Sequence, residues 1–193
     1  MNNLILTDCD GVCLDWEAHF HKWVNIRGHD KVNLISYDLS ERYDITTQRA
    51  QELLVDFNTS AYIMSVPAFK DARSGIARLV ENGFKFHAIT SLGDDKQAAK
   101  LRMMNLEHLF GHEAFIELSC LSMSKSKSSM LKQYENSGKW WIEDHPDNAS
   151  LGVTMGLKTI LMDHPHNQKV SDPAIIRVKT WRDITNLILE ERA

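Results

Sequence analysis

The chain has 193 residues, 43% hydrophobic and 25% charged, with a formal net charge of −4. A chain of that size buries a core without disulfides or a structural metal, and its acidic balance argues against a nucleic-acid polymer, whose phosphates select basic surface. No stretch is apolar for long enough to span a bilayer, and the opening MNNLILTDCD lacks the basic start of a signal peptide. Cys9, Cys13 and Cys120 fit neither a redox C-x-x-C pair nor a zinc knuckle, so reduced thiols in a cytoplasmic compartment are expected.

Leu4-Ile5-Leu6-Thr7 is a short apolar run that stops at Asp8-Cys9-Asp10-Gly11, the pattern of a buried parallel strand ending in a turn. Trp16, Phe20, Trp23 and Val24 then recur at helical spacing up to Gly28. Residues 29–45 are polar and turn-rich and show no period. Thr46-Thr47 reads as the cap of a helix to about Phe57, with Ala50, Leu53, Leu54 and Phe57 on one face. A further helix is expected from about Lys70 to Asn82, closed by Gly83. From there the type alternates. Strands are expected over 84–90, 115–118, 140–142 and 159–162, and helices over 94–104, 126–135, 145–151 and 181–190. Thr180 and Asp183 are placed as a capping box for the last helix.

Such alternation specifies an α/β fold, a Rossmann-like parallel sheet with helices on both faces and its chemistry at the carboxyl ends of the strands. The interval 13–70 is too long for a simple crossover. It reads as a small helical cap inserted after the first strand, leaving 1–12 and 71–193 as the core.

Four clusters fall at expected strand ends. Asp8 and Asp10, two apart, can point to one side of the sheet, one as nucleophile and the other as general acid, with Gly11 permitting the turn. The plain alternative, an Asp-rich turn, is about as common. Thr90 and Ser91 can donate to phosphate oxygens or simply cap the next helix. Lys125 and Lys127 can neutralise a phosphoryl group or sit in a solvated turn. Ile142-Glu143-Asp144-His145-Pro146-Asp147-Asn148 offers hard oxygen ligands for magnesium or is an acidic loop. Their shared order and location outweigh four separate accidents.

This order (D-x-D-G-V, hydrophobic-T-S, K, E-D-x-x-D/N) resembles the four motifs of the haloacid dehalogenase superfamily over nearly the whole chain. More narrowly, Asp8-Cys9-Asp10-Gly11-Val12-Cys13-Leu14-Asp15-Trp16-Glu17-Ala18 resembles the opening of the 5′(3′)-deoxyribonucleotidases. The segments 160–167 and 178–184 are similar to that family's closing segments, and Lys125-Ser126-Lys127-Ser128 is similar to its R-D-K-T. The resemblance implies that Asp8 attacks phosphorus, that Asp10 is acid and then base, and that Lys127 is the motif lysine with Lys125 a helper. It implies phosphate contacts from Thr90, Ser91 and Lys127, and Mg2+ held by Asp8, the Asp10 carbonyl and Asp144. Where the family carries two aspartates this chain has Glu143-Asp144, which gives Glu143 a supporting place behind the ligand Asp144.

The histidines at 19 and 21, and those at 164 and 166, lack the i, i+4 spacing of a helical zinc site and read as surface or cap residues. Of Trp140 and Trp141, one ring is assigned to the core and the other is left open. Trp16 is as well suited to packing the first cap helix as to stacking on a nucleobase. The expected activity is a phosphomonoesterase for (deoxy)nucleoside monophosphates, a small-molecule substrate, with no membrane partner and a homodimer allowed. The rival expectations are a phosphatase for another small ester and a phosphate-binding regulator without turnover.

Overall fold

Six strands build one parallel sheet in this computed structural model, which describes residues 3–192. They are β1 (Leu4–Thr7), β2 (Lys85–Thr90), β3 (Phe115–Cys120), β4 (Trp140–Glu143), β5 (Lys158–Met162) and β6 (Ile175–Val178). Their spatial order is β3-β2-β1-β4-β5-β6, every pair parallel. The order reverses at β1, which lies between β2 and β4. The crevice beyond the carboxyl ends of β1 and β4 is therefore the switch point at which such sheets carry their sites.

Strand alternation divides the core into two faces. Ile5, Phe86, Ala88, Ile142 and Ile160 pack in one apolar cluster, which includes residues of the helices α4 (Ala72–Glu81) and α8 (Trp181–Arg192). Leu6, Ile89 and Trp141 pack in another, against Leu131 and the partly buried Leu151. These come from α6 (Ser128–Leu131) and α7 (Pro146–Thr154). Trp140 and Trp141 are both buried, one in each cluster, so the ring that the sequence left open is in the core as well. Neighbouring strand residues point to opposite faces, and here both faces are covered.

Between β1 and β2 the chain makes α1 (Trp16–Asn25), α2 (Leu39–Tyr43), α3 (Thr47–Thr59), a 3-10 turn (Ala61–Ser65) and then α4. Asp15 caps α1 by accepting from the Ala18 amide, and Thr46 caps α3 by accepting from the Arg49 amide. Phe20, Trp23 and Val24 of α1 meet Leu53 and Phe57 of α3, in an apolar cluster continuous with the α4 side of the sheet. The aperiodic stretch before α2 is tied down by Arg42. Its Nε and Nη2 donate to the Ser36 carbonyl and its Nη1 pairs with Glu17.

Besides α2, which lies in the stretch read as aperiodic, three elements differ notably from the sequence expectation. Helix α5 (Lys96–Phe110) runs past Met104, because nothing breaks it before Gly111. The helix expected over 126–135 is one α turn followed by a 3-10 turn at Lys132–Tyr134. Strand β6 was not expected; it has four residues at the sheet edge behind a turn-rich segment and shows no period of its own. The capping box at Thr180 and Asp183 forms, each side chain accepting from the other's amide. Among the described residues no helix is long and apolar enough to cross a membrane.

Candidate active site

Asp8 is the first residue beyond β1, and its amide donates to the Ile142 carbonyl of β4 at 2.8 Å. Its Oδ1 accepts from the Cys9 amide at 2.7 Å, and its Oδ2 lies 3.0 Å from Lys127 Nζ. The same ammonium lies 2.8 Å from Glu143 Oε1 at the end of β4, and its residue is only 1% exposed. Asp144 follows. A Cβ at Gly11 would stand 2.4 Å from Asp144 Oδ2, and Gly11 has φ +79°. Only glycine lets the turn after Asp10 pass this close to Asp144.

Carboxylate oxygens of Asp8, Glu143 and Asp144 gather within 4.8 Å of one another. Glu143 is nonetheless committed to the protein. Its Oε1 accepts from Lys127 and from Asn148 at 2.7 Å, and its Oε2 from the amides of Asp144 and His145 at 2.6 and 3.0 Å. Burial opposes its ionisation, but Lys127 and these donors hold its pKa at about 2. Burial pushes Asp8 well up, against the pull of Lys127. Burial also raises Asp144 to about 7, with Glu143 adding to the rise and His166 opposing it. Three buried carboxylates thus face one buried ammonium. That imbalance, with Asp8 and Asp144 still able to donate oxygens, fits a hard divalent cation.

Asp8, Asp10, Thr90, Ser91, Asp144 and Trp16 all line one cavity of about 460 Å³. Lys127 joins them through Asp8, while Lys125 is exposed and lies off the cavity wall. Asp10 is paired with Arg102 of α5, whose Nη2 is 2.8 Å from Oδ1. Trp16 stacks on Phe20 at 4.5 Å with an 11° interplanar angle, and its Nε1 donates to Asn58 Oδ1 at 3.2 Å. It is thus a packing residue that also faces the cavity.

Several residues at the site were not found by sequence reading. His164 Nε2 meets the Gly11 carbonyl at 2.7 Å, and His166 Nε2 meets the Asp144 carbonyl at 3.1 Å, which corrects their reading as surface or cap residues. Asn167 is buried and donates to the carbonyls of Asp144 and Met162. Tyr37, from the aperiodic stretch, reaches over the site to lie 4.9 Å from the His145 ring and 5.0 Å from that of His166. Arg102 had one signal available: it shares the i, i+4 stripe of Ala98, where an apolar residue belongs.

The chain matches, over residues 2–193, the family described as 5′ nucleotidase, deoxy (pyrimidine), cytosolic type C protein. It is 28% identical over 204 residues to an uncharacterised 32.4 kDa protein from the Gp30-rIII intergenic region of Enterobacteria phage T4, covering 100% of this chain and 72% of that protein. Among solved structures, its fold is similar to a haloacid dehalogenase-like hydrolase from Streptococcus pneumoniae (TM-score 0.67, 12% identity, 96% of this chain and 98% of that one). It is also similar to a haloacid dehalogenase family hydrolase from Deinococcus radiodurans with bound phosphate and sodium (TM-score 0.62, 16% identity, 97% and 95%). With that match running almost end to end and the motif residues gathered at one switch point, the chain belongs to the deoxy (pyrimidine) cytosolic type C 5′ nucleotidase family, on a fold similar to that of haloacid dehalogenase-like hydrolases.

Proposed function

We propose that this protein is a magnesium-dependent phosphomonoesterase that forms an aspartyl phosphate at Asp8 and takes (deoxy)nucleoside monophosphates as substrates. The observation that carries the reading is Asp8 itself, at a strand end on the wall of the cavity and held by a buried lysine. In this reading residues 1–12 and 71–193 are the catalytic core and 13–70 the cap.

An Asp8 carboxylate oxygen attacks phosphorus, and the bond from phosphorus to the leaving oxygen breaks as Asp10 gives that oxygen a proton. Asp10 then takes a proton from water as the water oxygen attacks phosphorus, which frees Asp8 and inorganic phosphate. Lys127 stays paired with Asp8 throughout and offsets charge on the transferring group. Thr90 and Ser91, at the cavity end of β2, orient phosphate oxygens. Asp8, Asp144 and the Asp10 carbonyl would hold magnesium, which when bound draws charge from the phosphoryl oxygens. The cavity volume is that of a small-molecule site, and its cap side offers both apolar surface, at Trp16 and Leu54, and charge, at Lys31 and Arg42.

Rapid-quench labelling with a phosphate-labelled deoxynucleotide tests this directly. The wild type is expected to trap a phosphorylated enzyme, while Asp8→Asn traps none and loses about 10³-fold or more in rate. Chelator should abolish turnover, magnesium restore it and calcium restore it poorly, since calcium takes more ligands at longer distances. Turnover by Asp8→Asn at the wild-type rate, or full activity in excess chelator, would remove the corresponding part of the reading.

A further inference from the structure

Asp10 is held by a residue to which the proposed mechanism gives no part. Helix α5 buries Ala98, Arg102, Asn105 and Leu106, the i, i+4, i+7 and i+8 positions of one face. An arginine thus stands where an aliphatic side chain would pack. Arg102 is 0% exposed, and its Nη2 lies 2.8 Å from Asp10 Oδ1 and 3.0 Å from Oδ2. Its Nε and Nη1 have no hydrogen-bond partner among the described residues.

A stabilising buried ion pair needs its remaining donors satisfied, and this one leaves two unmet. An apolar residue of similar volume commonly serves stability as well or better. The pair makes more sense at its other end. Asp10 faces the cavity, the turn after it bends at Gly11, and among the described residues Arg102 is the only side chain that donates to its carboxylate. The rigid helix α5 reaches Asp10 from across 92 positions of sequence, so the anchor is independent of the loop that carries the aspartate.

We infer that Arg102 is the positioning residue for Asp10, fixing the direction in which its carboxylate meets the leaving oxygen and then the incoming water. This rests on the reading of Asp10 as acid and base. The contact is made by Nη2 alone, at the tip of a planar guanidinium whose reach and orientation an ammonium on its shorter, freely rotating stem lacks, so lysine at position 102 keeps the charge and loses the alignment.

The test compares two leaving groups. Thymidine 5′-phosphate, or the alkyl phosphate that the wild type turns over fastest, leaves as an alkoxide that needs the proton from Asp10. The p-nitrophenolate of p-nitrophenyl phosphate departs with little help. Arg102→Met should lower the first-turnover rate on the alkyl ester by about ten-fold to a hundred-fold, the scale set by a misplaced catalytic group, with KM nearly unchanged. Its first-turnover loss on p-nitrophenyl phosphate should be far smaller, and Arg102→Lys should fall between Arg102→Met and wild type. Equal losses on both esters, or none on either, overturn the assignment. If Arg102→Met does not fold, Arg102→Lys decides by the same comparison. Asp10→Asn, run alongside, separates the two levels. If it keeps the wild-type rate on the alkyl ester, the acid role falls and this proposal with it. If it shows the leaving-group-selective loss and the Arg102 variants do not, the role of Arg102 alone falls.

Discussion

Lys127 is the residue on which the charge balance of the site turns. Its ammonium sits between Asp8 and Glu143, and both carboxylates hold it charged against the pull of burial. Lys127→Met leaves two buried carboxylates facing each other, so it should cost about 10³-fold or more in rate and lower the melting temperature as well, since breaking a buried pair costs about 3–5 kcal/mol. Lys125→Met should leave both near wild type, because that side chain is exposed. Parallel kinetics and melts check this, and a loss from Lys125→Met as large as from Lys127→Met sinks it. Asp144 gives a second prediction, with a sign. A carboxyl whose pKa rises on folding, here from 3.8 to about 7, takes up a proton as the chain folds. Below 3.8 it has no effect, between 3.8 and about 7 it opposes folding increasingly, and above that the opposition is complete. In chelator, Asp144→Asn should therefore melt higher than wild type at pH 8, with the gap closing towards pH 4. About 2–4 °C is expected per kcal/mol at this chain length. Magnesium should raise the melting temperature of the wild type and not of the variant. A gap that stays constant with pH contradicts the argument.

At the scale of elements, α7 packs so closely on β4 and β5 that its glycine is required. A Cβ on Gly152 would stand 2.3 Å from Trp141 Cδ1 and 2.7 Å from Thr159 Oγ1. Both rigid neighbours lie in the sheet, so Gly152→Ala should destabilise by about 1–3 kcal/mol of overpacking, more than any gain in helix propensity. Urea denaturation measures it, and an unchanged midpoint would mean that α7 shifts freely. The elements that sequence reading located share one property: each carries its own signal. Strand β1 stops at an acidic turn, α1 and α3 have side-chain caps and an apolar stripe, and Gly83 closes α4. Strand β6 has four residues and no period, and pairing with β5 gives it its form; helix α2 has five residues, too few to show a period, and its one local signal is the Asp38 cap, which accepts from the Ser40 amide.

For the whole molecule, the question is how the helices between β1 and β2 and the sheet share one cavity. Trp16 belongs to both, stacked on Phe20 and edge-on to Phe57 while lining the cavity. Trp16→Ala should therefore do two things. It should lower the melting temperature through lost packing. It should also raise KM for deoxynucleoside monophosphates about ten-fold to a hundred-fold, from the roughly 1–3 kcal/mol of base–aromatic stacking. KM for p-nitrophenyl phosphate should move much less, and Trp16→Phe should recover most of the nucleotide KM. Equal changes for both substrates would make Trp16 a packing residue alone.

By itself the sequence determined the parallel α/β architecture, the helical insertion after the first strand, and the four clusters with Asp8, Asp10, Thr90, Lys127 and Asp144 among them. Those are local signals: strand ends, caps, apolar periods, and polar residues crowded where an apolar run stops. The tertiary structure decided which charges meet. The position of Arg102 on the apolar stripe of α5 hints at burial but does not name Asp10 as its partner until α5 is laid against the β1 turn, and His164 and His166 read as surface or cap residues until the β5 end comes beside Asp144. Lys125 and Lys127, two residues apart in a serine-rich piece, were ranked by resemblance as helper and motif lysine, and folding gives the physical difference: it buries Lys127 against Asp8 and leaves Lys125 in water. A charge's partner is set by distance through space, and periodicity along the chain does not encode that distance when the two residues are 92 positions apart.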